Sequence, residues 1–309
     1  MELLRALEAV RTPFWNTIMG YATFLGEQKV FMAVGLIMLW CVDKKWGYRL
    51  FYMGLLGSAV NQLLKGIFLL PRPWVADPSF RIVESAREAA TGYSFPSGHT
   101  QGAAMLFGGL ALWARKRWVT ILCIAAALLV GFSRLYLGVH TPLDVGTSLL
   151  IGLLMVWLMA YLFRKADSGK KAIYVIGGAG LLVCAASVLY LILVPATPRN
   201  VAEFDAQGMQ STFTLLGAML GLIVIWWLDD RFLRFPVRAV WWAQLLKCAI
   251  GIGILLVLQA LLQQPLLTLF HGYAAVYAAQ NFLITVVAGA VWPMTFRFFS
   301  RLGNRSACS

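Results

Sequence analysis

The sequence predicts an all-α, polytopic membrane protein, and three observations carry that prediction. Apolar residues make up 60% of the 309-residue chain and charged residues only 13%. The resulting mean hydropathy of +0.75 is far above that of a soluble domain, and long apolar runs recur throughout the chain. The strict alternation of a membrane β-barrel strand is absent, and lipid-exposed backbone must satisfy its own hydrogen bonds, so each run is read as a helix.

Residues 1–24 read as an amphipathic segment. Leu3, Leu4, Leu7, Val10, Phe14 and Ile18 recur at roughly helical spacing, with Glu2, Arg5, Glu8 and Arg11 between them. That pattern suits a helix lying in the membrane interface, or one packed on a loop, and lacks the unbroken apolar core of a signal peptide. The first span rests on the apolar run 30–42, shorter than the roughly 20 residues a bilayer needs; it is expected to borrow the turn around 26–29 and the Trp46 anchor. Further spans are expected at 48–67, 98–114, 118–136, 143–163 and 172–194, with a polar, proline-containing segment at 71–97. After a polar loop at 196–210 come three more, at 211–228, 240–262 and 274–292.

The net charge of +13 does not imply nucleic acid as a partner, because the basic residues cluster in short loops between apolar runs, where they set topology. Lys44, Lys45 and Arg49, then Arg115 to Arg117, then Arg164, Lys165, Lys170 and Lys171 fall on one side of the nine-span pattern. Arg231, Arg234 and Arg238, and finally Arg297, Arg301 and Arg305, fall on the same side. By the positive-inside rule that side, with the C-terminus, is cytoplasmic. The five cysteines form no CxxC pair or metal-ligand spacing and read as small buried apolar residues.

On the opposite side, basic residues concentrate at span ends. Asp144 follows His140 by four positions, which on a helix sets a carboxylate beside an imidazole and leaves its other nitrogen free to attack an electrophile. Arg134 brings a fork of donors suited to phosphoryl oxygens. Lys65 ends the second span, Arg72-Pro73 opens the polar segment, and Pro96-Ser97-Gly98-His99 closes it at the start of the third span. Taken singly, each has a plain structural reading: Lys65 as a snorkelling anchor, His99 as a helix cap, His140 and Asp144 as a structural pair. Together they place three cations, two histidines and an aspartate at one membrane surface.

Those residues resemble the three-part signature of the type 2 phosphatidic acid phosphatase superfamily: Lys65, six residues, Arg72-Pro73; Pro96-Ser97-Gly98-His99; then Ser133-Arg134, five residues, His140, three residues, Asp144. No signature position departs from the pattern. The resemblance implies a catalytic membrane core of six helices at 25–195, preceded by the interfacial segment 1–24 and followed by a three-span extension at 196–309. It implies that His140 is a nucleophile forming a phosphohistidine, oriented by Asp144, and that His99 protonates the leaving oxygen and then activates water. Lys65, Arg72 and Arg134 would carry the countercharge, with Ser97 and the Gly98 N–H at a helix start. No metal or cofactor is implied.

The expected activity is hydrolysis of a lipid phosphate or diphosphate, of the phosphatidic acid, phosphatidylglycerophosphate or undecaprenyl diphosphate type, at the extracytoplasmic face. A glucose-6-phosphatase-like hydrolase or a phosphotransferase acting on a water-soluble ester is the alternative. A non-catalytic scaffold or transporter fits less well, because every signature residue is kept. Secondary expectations are local ion pairing of Arg81 and Arg87 with Glu84 and Glu88, and close helix contact at the Gly217–Gly221 GxxxG spacing. Gln280 and Asn281 are expected to hydrogen-bond within the helix bundle, and His271 to take no part in chemistry.

Overall fold

The computed structural model of the protein describes residues 1–90, 92–167, 171–194, 202–269 and 273–302; His271 lies outside them. Among the described residues all regular structure is helical. The helices are α1 (Glu2–Ala9), α2 (Pro13–Phe24), α3 (Gln28–Ile37), α4 (Lys44–Phe68), the short α5 (Pro73–Ala76), α6 (Gly98–Ala114), α7 (Arg117–Tyr136) and α8 (Pro142–Asp167). They continue as α9 (Lys171–Leu193), α10 (Ala202–Leu228), α11 (Trp241–Leu269), α12 (Ala275–Val286) and α13 (Phe296–Arg301). Seven helices among the described residues are long and apolar enough to cross a membrane. A bent pair, Pro13–Phe24 with Gln28–Val42, makes an eighth if it is one span. At 17 residues, α6 is about 25 Å long and occupies the position expected of the third span. The protein is a multi-pass membrane protein.

Two spans differ from expectation in construction. Trp46 belongs to the next helix, α4, and the apolar run 30–42 is preceded by α2 across a 46° bend. Gly26 sits in that bend because a side chain there would meet Val130 Cγ1 at 2.6 Å and the His99 carbonyl at 2.8 Å. Helix α10 begins at Ala202, inside the stretch read as a polar loop; Glu203, Asp205 and Gln207 mask its helical continuity without breaking it.

Contacts divide the chain into two compact units: residues 1–31 with 53–212, and residues 32–52 with 213–309. In the first unit, α6 packs against both α7 and α8. Small residues allow the close approach, since a methyl at Gly152 would lie 2.6 Å from Ala104 Cβ. A second apolar cluster joins Leu4 of α1 and Met19 of α2 to Phe80 and Ile82 of the long segment and to Tyr136, Leu137 and Val139. The amphipathic α1 is thereby fixed over the segment that leads to His140. Its polar side is tied down as well, with Arg5 2.7 Å from Asp77 and Glu8 accepting the Arg81 N–H at 3.1 Å.

In the second unit, α10 and α12 meet at the GxxxG spacing: a side chain at Gly217 would collide with the Ala278 carbonyl, and one at Gly221 would lie 2.7 Å from Thr285 Cβ. Asn281 donates to Thr214 Oγ1 at 3.4 Å and to the Tyr277 carbonyl at 2.8 Å, and Gln280 donates to the Gln259 carbonyl at 3.5 Å. Lys247, inside a span, is buried and donates to the carbonyls of Trp40 and Val237 at 2.8 and 2.9 Å, which satisfies an ammonium that would otherwise be costly there.

Candidate active site

The first unit contains a cavity of about 160 Å³ that draws its walls from all three motif segments. Lys65, Arg72, Gly98, His99 and His140 line it; Ser97, Arg134 and Asp144 are buried and are not in its lining, each next to or bonded to a motif segment that is. All eight sequence-predicted residues are therefore in or directly around one site, though they divide into a lining set and a supporting set.

His140 stands between α7 and α8, 1% exposed, immediately after a turn in which Gly138 has φ +81°, a conformation that a side chain would strain. Its Nε2 lies 2.8 Å from Arg72 Nη1. A guanidinium has donors only, so Nε2 accepts and the ring proton resides on Nδ1. Nδ1 faces Asp144 Oδ2 at 3.4 Å. The carboxylate is fixed in turn by the Ser94 hydroxyl at 2.6 Å and the Thr141 N–H at 2.7 Å. Burial, and then the positive charges of Arg72, Arg134 and Lys65, hold the His140 pKa well below the usual histidine value. The imidazole is neutral, and its Nε2 lone pair is held by Arg72 Nη1 at the edge of a cation-lined cavity.

The cations are held in place by carbonyls. Arg72 donates through Nε to the Gly92 carbonyl at 3.0 Å and through Nη1 to the Val139 carbonyl at 3.0 Å. Lys65 donates to the Tyr93 carbonyl. Arg134 is fully buried and gives Nη1 to Thr23 Oγ1 at 2.8 Å, while its Nε and Nη2 have no partner among the described residues. His99 Nε2 is likewise a buried nitrogen without a partner among them. The Ser97 hydroxyl caps α6, accepting the Thr100 N–H at 3.4 Å, so its side chain builds the helix start rather than the cavity wall.

Several supporting residues escaped the sequence reading. Ser94 bridges the His140–Asp144 pair, yet a serine before Phe-Pro in a loop carries no signal of that role. Asn61 donates to Gln101 Oε1 at 2.8 Å and to the Pro96 carbonyl at 3.4 Å, pinning the second motif to α4. Gln207 of α10 accepts the Gly92 N–H at 3.0 Å. Of the two loop arginines, Arg87 pairs with Glu84 at 2.7 Å as expected; the Arg81 backbone is anchored instead, its carbonyl taking a hydrogen bond from Arg11.

The undecaprenyl-diphosphatase BcrC of Bacillus subtilis is 34% identical over 37% of this chain, and the match spans 54% of that enzyme. Phosphatidylglycerophosphatase B of the same organism is 29% identical over 50% of this chain and 78% of that enzyme. Among solved structures, the crystal structure of Aquifex aeolicus LpxE matches at 27% identity, covering 52% of this chain and 93% of that one with a TM-score of 0.46. The model of the PAP2 superfamily matches residues 46–168, the segment holding every motif residue, and that of the PAP2 superfamily phosphatase transmembrane extension matches 213–305. On these two matches and the convergence of its three motifs, the chain belongs to the PAP2 superfamily.

Proposed function

We propose that this chain is an integral membrane phosphatase that hydrolyses a lipid phosphate or diphosphate at the extracytoplasmic face through a phosphohistidine on His140. The observation that carries the reading is the orientation of His140, with Nε2 2.8 Å from Arg72 and Nδ1 turned to Asp144 at the edge of a cavity shared with Lys65 and His99. In the first step Arg72 Nη1 turns from Nε2 to a phosphoryl oxygen, Nε2 bonds to phosphorus, the ester P–O bond breaks, and His99 gives its proton to the departing oxygen. The phosphoryl imidazole keeps its Nδ1 proton, whose positive charge Asp144 balances. In the second step water bonds to phosphorus while His99 takes its proton, the P–N bond breaks, and inorganic phosphate leaves.

Charge accumulates on the equatorial oxygens in both steps. Lys65 and Arg72 at the cavity are anchored on carbonyls and Arg134 on Thr23, with its Nε and Nη2 donors open, so beyond the turn of Arg72 Nη1 away from Nε2 little reorganisation is needed. Such a site performs the chemistry with its own cations, so a chelator should leave turnover unchanged.

The lipid assignment rests on size and surroundings. About 160 Å³ is smaller than the roughly 300–1,000 Å³ of pockets that enclose a drug-sized ligand, so the cavity takes the polar end of a substrate. Gly66 and Leu191 are in its wall, and Ile67, Phe68 and Ile192 beside them are exposed, as suits an acyl or prenyl tail left in the bilayer. Both named Bacillus relatives act on lipids. The basic loops support the face, since the positive-inside rule assigns their end of the spans to the cytoplasm. Purified protein should release phosphate from a lipid phosphate in the presence of EDTA, and vanadate should inhibit it. Turnover confined to sugar phosphates would overturn the lipid reading, and loss of activity in EDTA would overturn the mechanism.

A further inference from the structure

The cavity has a wall that no motif supplies. Gln207, Gly208 and Ser211, near the amino end of α10, line the cavity together with the motif residues. These positions fall between the two segments matched by family models, and they belong to the same compact unit as the site.

Gln207 is connected to the reacting atoms by a short chain of hydrogen bonds. Its Oε1 accepts the Gly92 N–H at 3.0 Å; the Gly92 carbonyl accepts Arg72 Nε at 3.0 Å; and Arg72 Nη1 meets His140 Nε2 at 2.8 Å. The adjoining Tyr93 carbonyl holds Lys65. One turn, residues 92–93, thus seats both cavity-lining cations, and α10 latches that turn. Gly92 has φ +63°, a conformation that glycine adopts readily, so an external acceptor fixes a turn that its own residue leaves free.

We propose that the amino end of α10 is the selectivity wall of this pocket: Gln207 positions the cation-bearing turn, and Ser211 meets the alcohol half of the phosphate ester. The wall offers an amide, a hydroxyl and apolar atoms. Among the described lining residues the cations are Lys65 and Arg72, both bound to the turn at 92–93. A second phosphate placed against α10 would find no cation among the α10 residues that line the cavity to replace its water, which costs more than an unmade neutral hydrogen bond. The preferred substrate is therefore a phosphate monoester whose alcohol half carries hydroxyl or amide groups, and a diphosphate is the poorer one. This proposal rests on the phosphatase reading and narrows its substrate class.

The test measures kcat/KM on a lipid monophosphate with a hydroxylated headgroup, a lipid monophosphate without one, and a prenyl diphosphate, together with the inhibition constant of vanadate. Wild type should favour the hydroxylated monophosphate. Ser211→Ala should remove that preference by about tenfold, the worth of one hydrogen bond, with vanadate inhibition unchanged because the phosphoryl position is untouched. Ser211→Lys should shift the ratio of rates toward the diphosphate. Gln207→Ala should weaken vanadate about tenfold, and Gln207→Glu, which keeps an acceptor for Gly92, should recover it. Unchanged substrate ratios in both Ser211 variants, or unchanged vanadate inhibition in Gln207→Ala, would overturn the proposal while leaving the phosphatase standing. Wild-type protein inactive on all three lipids would remove the phosphatase reading itself.

Discussion

Replacing Asp144 by asparagine isolates what the buried carboxylate does for His140. The two side chains have nearly the same shape, and three donors converge on one oxygen: Oδ2 meets the Ser94 hydroxyl at 2.6 Å, the Thr141 N–H at 2.7 Å and His140 Nδ1 at 3.4 Å. The amide oxygen of asparagine takes that place and the amide nitrogen takes the place of Oδ1, so the ring keeps its proton on Nδ1. What the exchange removes is the negative charge, and the phosphoryl imidazole loses its counter-anion. A buried charge left without its partner costs about 3–5 kcal/mol. We expect kcat to fall by about 10²–10⁴ on that ground. The assay is phosphate release in detergent micelles under saturating substrate, with thermal unfolding of the same preparation as the folding control. A folded variant that loses less than about tenfold in kcat, or that changes only in KM, would refute the counter-anion argument.

Ser94→Ala removes the 2.6 Å hydrogen bond to Asp144; a bond to an ionised group is worth about 1.5–3 kcal/mol, so kcat should fall by about ten- to a hundredfold with little change in KM, read in the same assay. The pH dependence of kcat/KM, corrected for substrate ionisation, should show an acid limb well below pH 6.5. The reactive form of His140 is the neutral one, its pKa is lowered by burial and neighbouring cations, and activity is therefore lost only as pH falls through that lowered value; a limb at or above 6.5 would contradict this. Gly152→Ala brings a methyl to 2.6 Å from Ala104 Cβ, and overpacking of this kind costs about 1–3 kcal/mol; the expected readout is a lowered thermal midpoint, with residual activity per folded molecule largely kept.

The helices legible in the sequence are those whose apolar runs end at a strong stop. Ser97 as cap and Arg115 in the left-handed region bound α6 at the residues expected, and α7, α8 and α9 lie within a few residues of their predicted limits. The first span was less legible because its bend depends on Gly26 fitting against the His99 backbone, a contact set by folding rather than periodicity. The amino end of α10 was hidden by Glu203, Asp205 and Gln207, which resemble loop composition when read alone. The same division holds in the site. Lys65, Arg72, His99 and His140 could be named because their spacing is a motif, and they do line one cavity. Ser94, Asn61, Thr23 and Gln207 act through one or two hydrogen bonds across 35 or more residues, and common polar residue types leave no pattern at such separations.

The central claim, that His140 carries the phosphoryl group between the two steps, is tested most directly by rapid acid-free quench of the enzyme mixed with a phosphorus-labelled lipid phosphate, followed by peptide mapping under alkaline conditions that preserve phosphoramidates. The account predicts label on His140, formed at least as fast as turnover and absent from a folded His140→Ala variant. Label on another residue, or full turnover by His140→Ala, would contradict it.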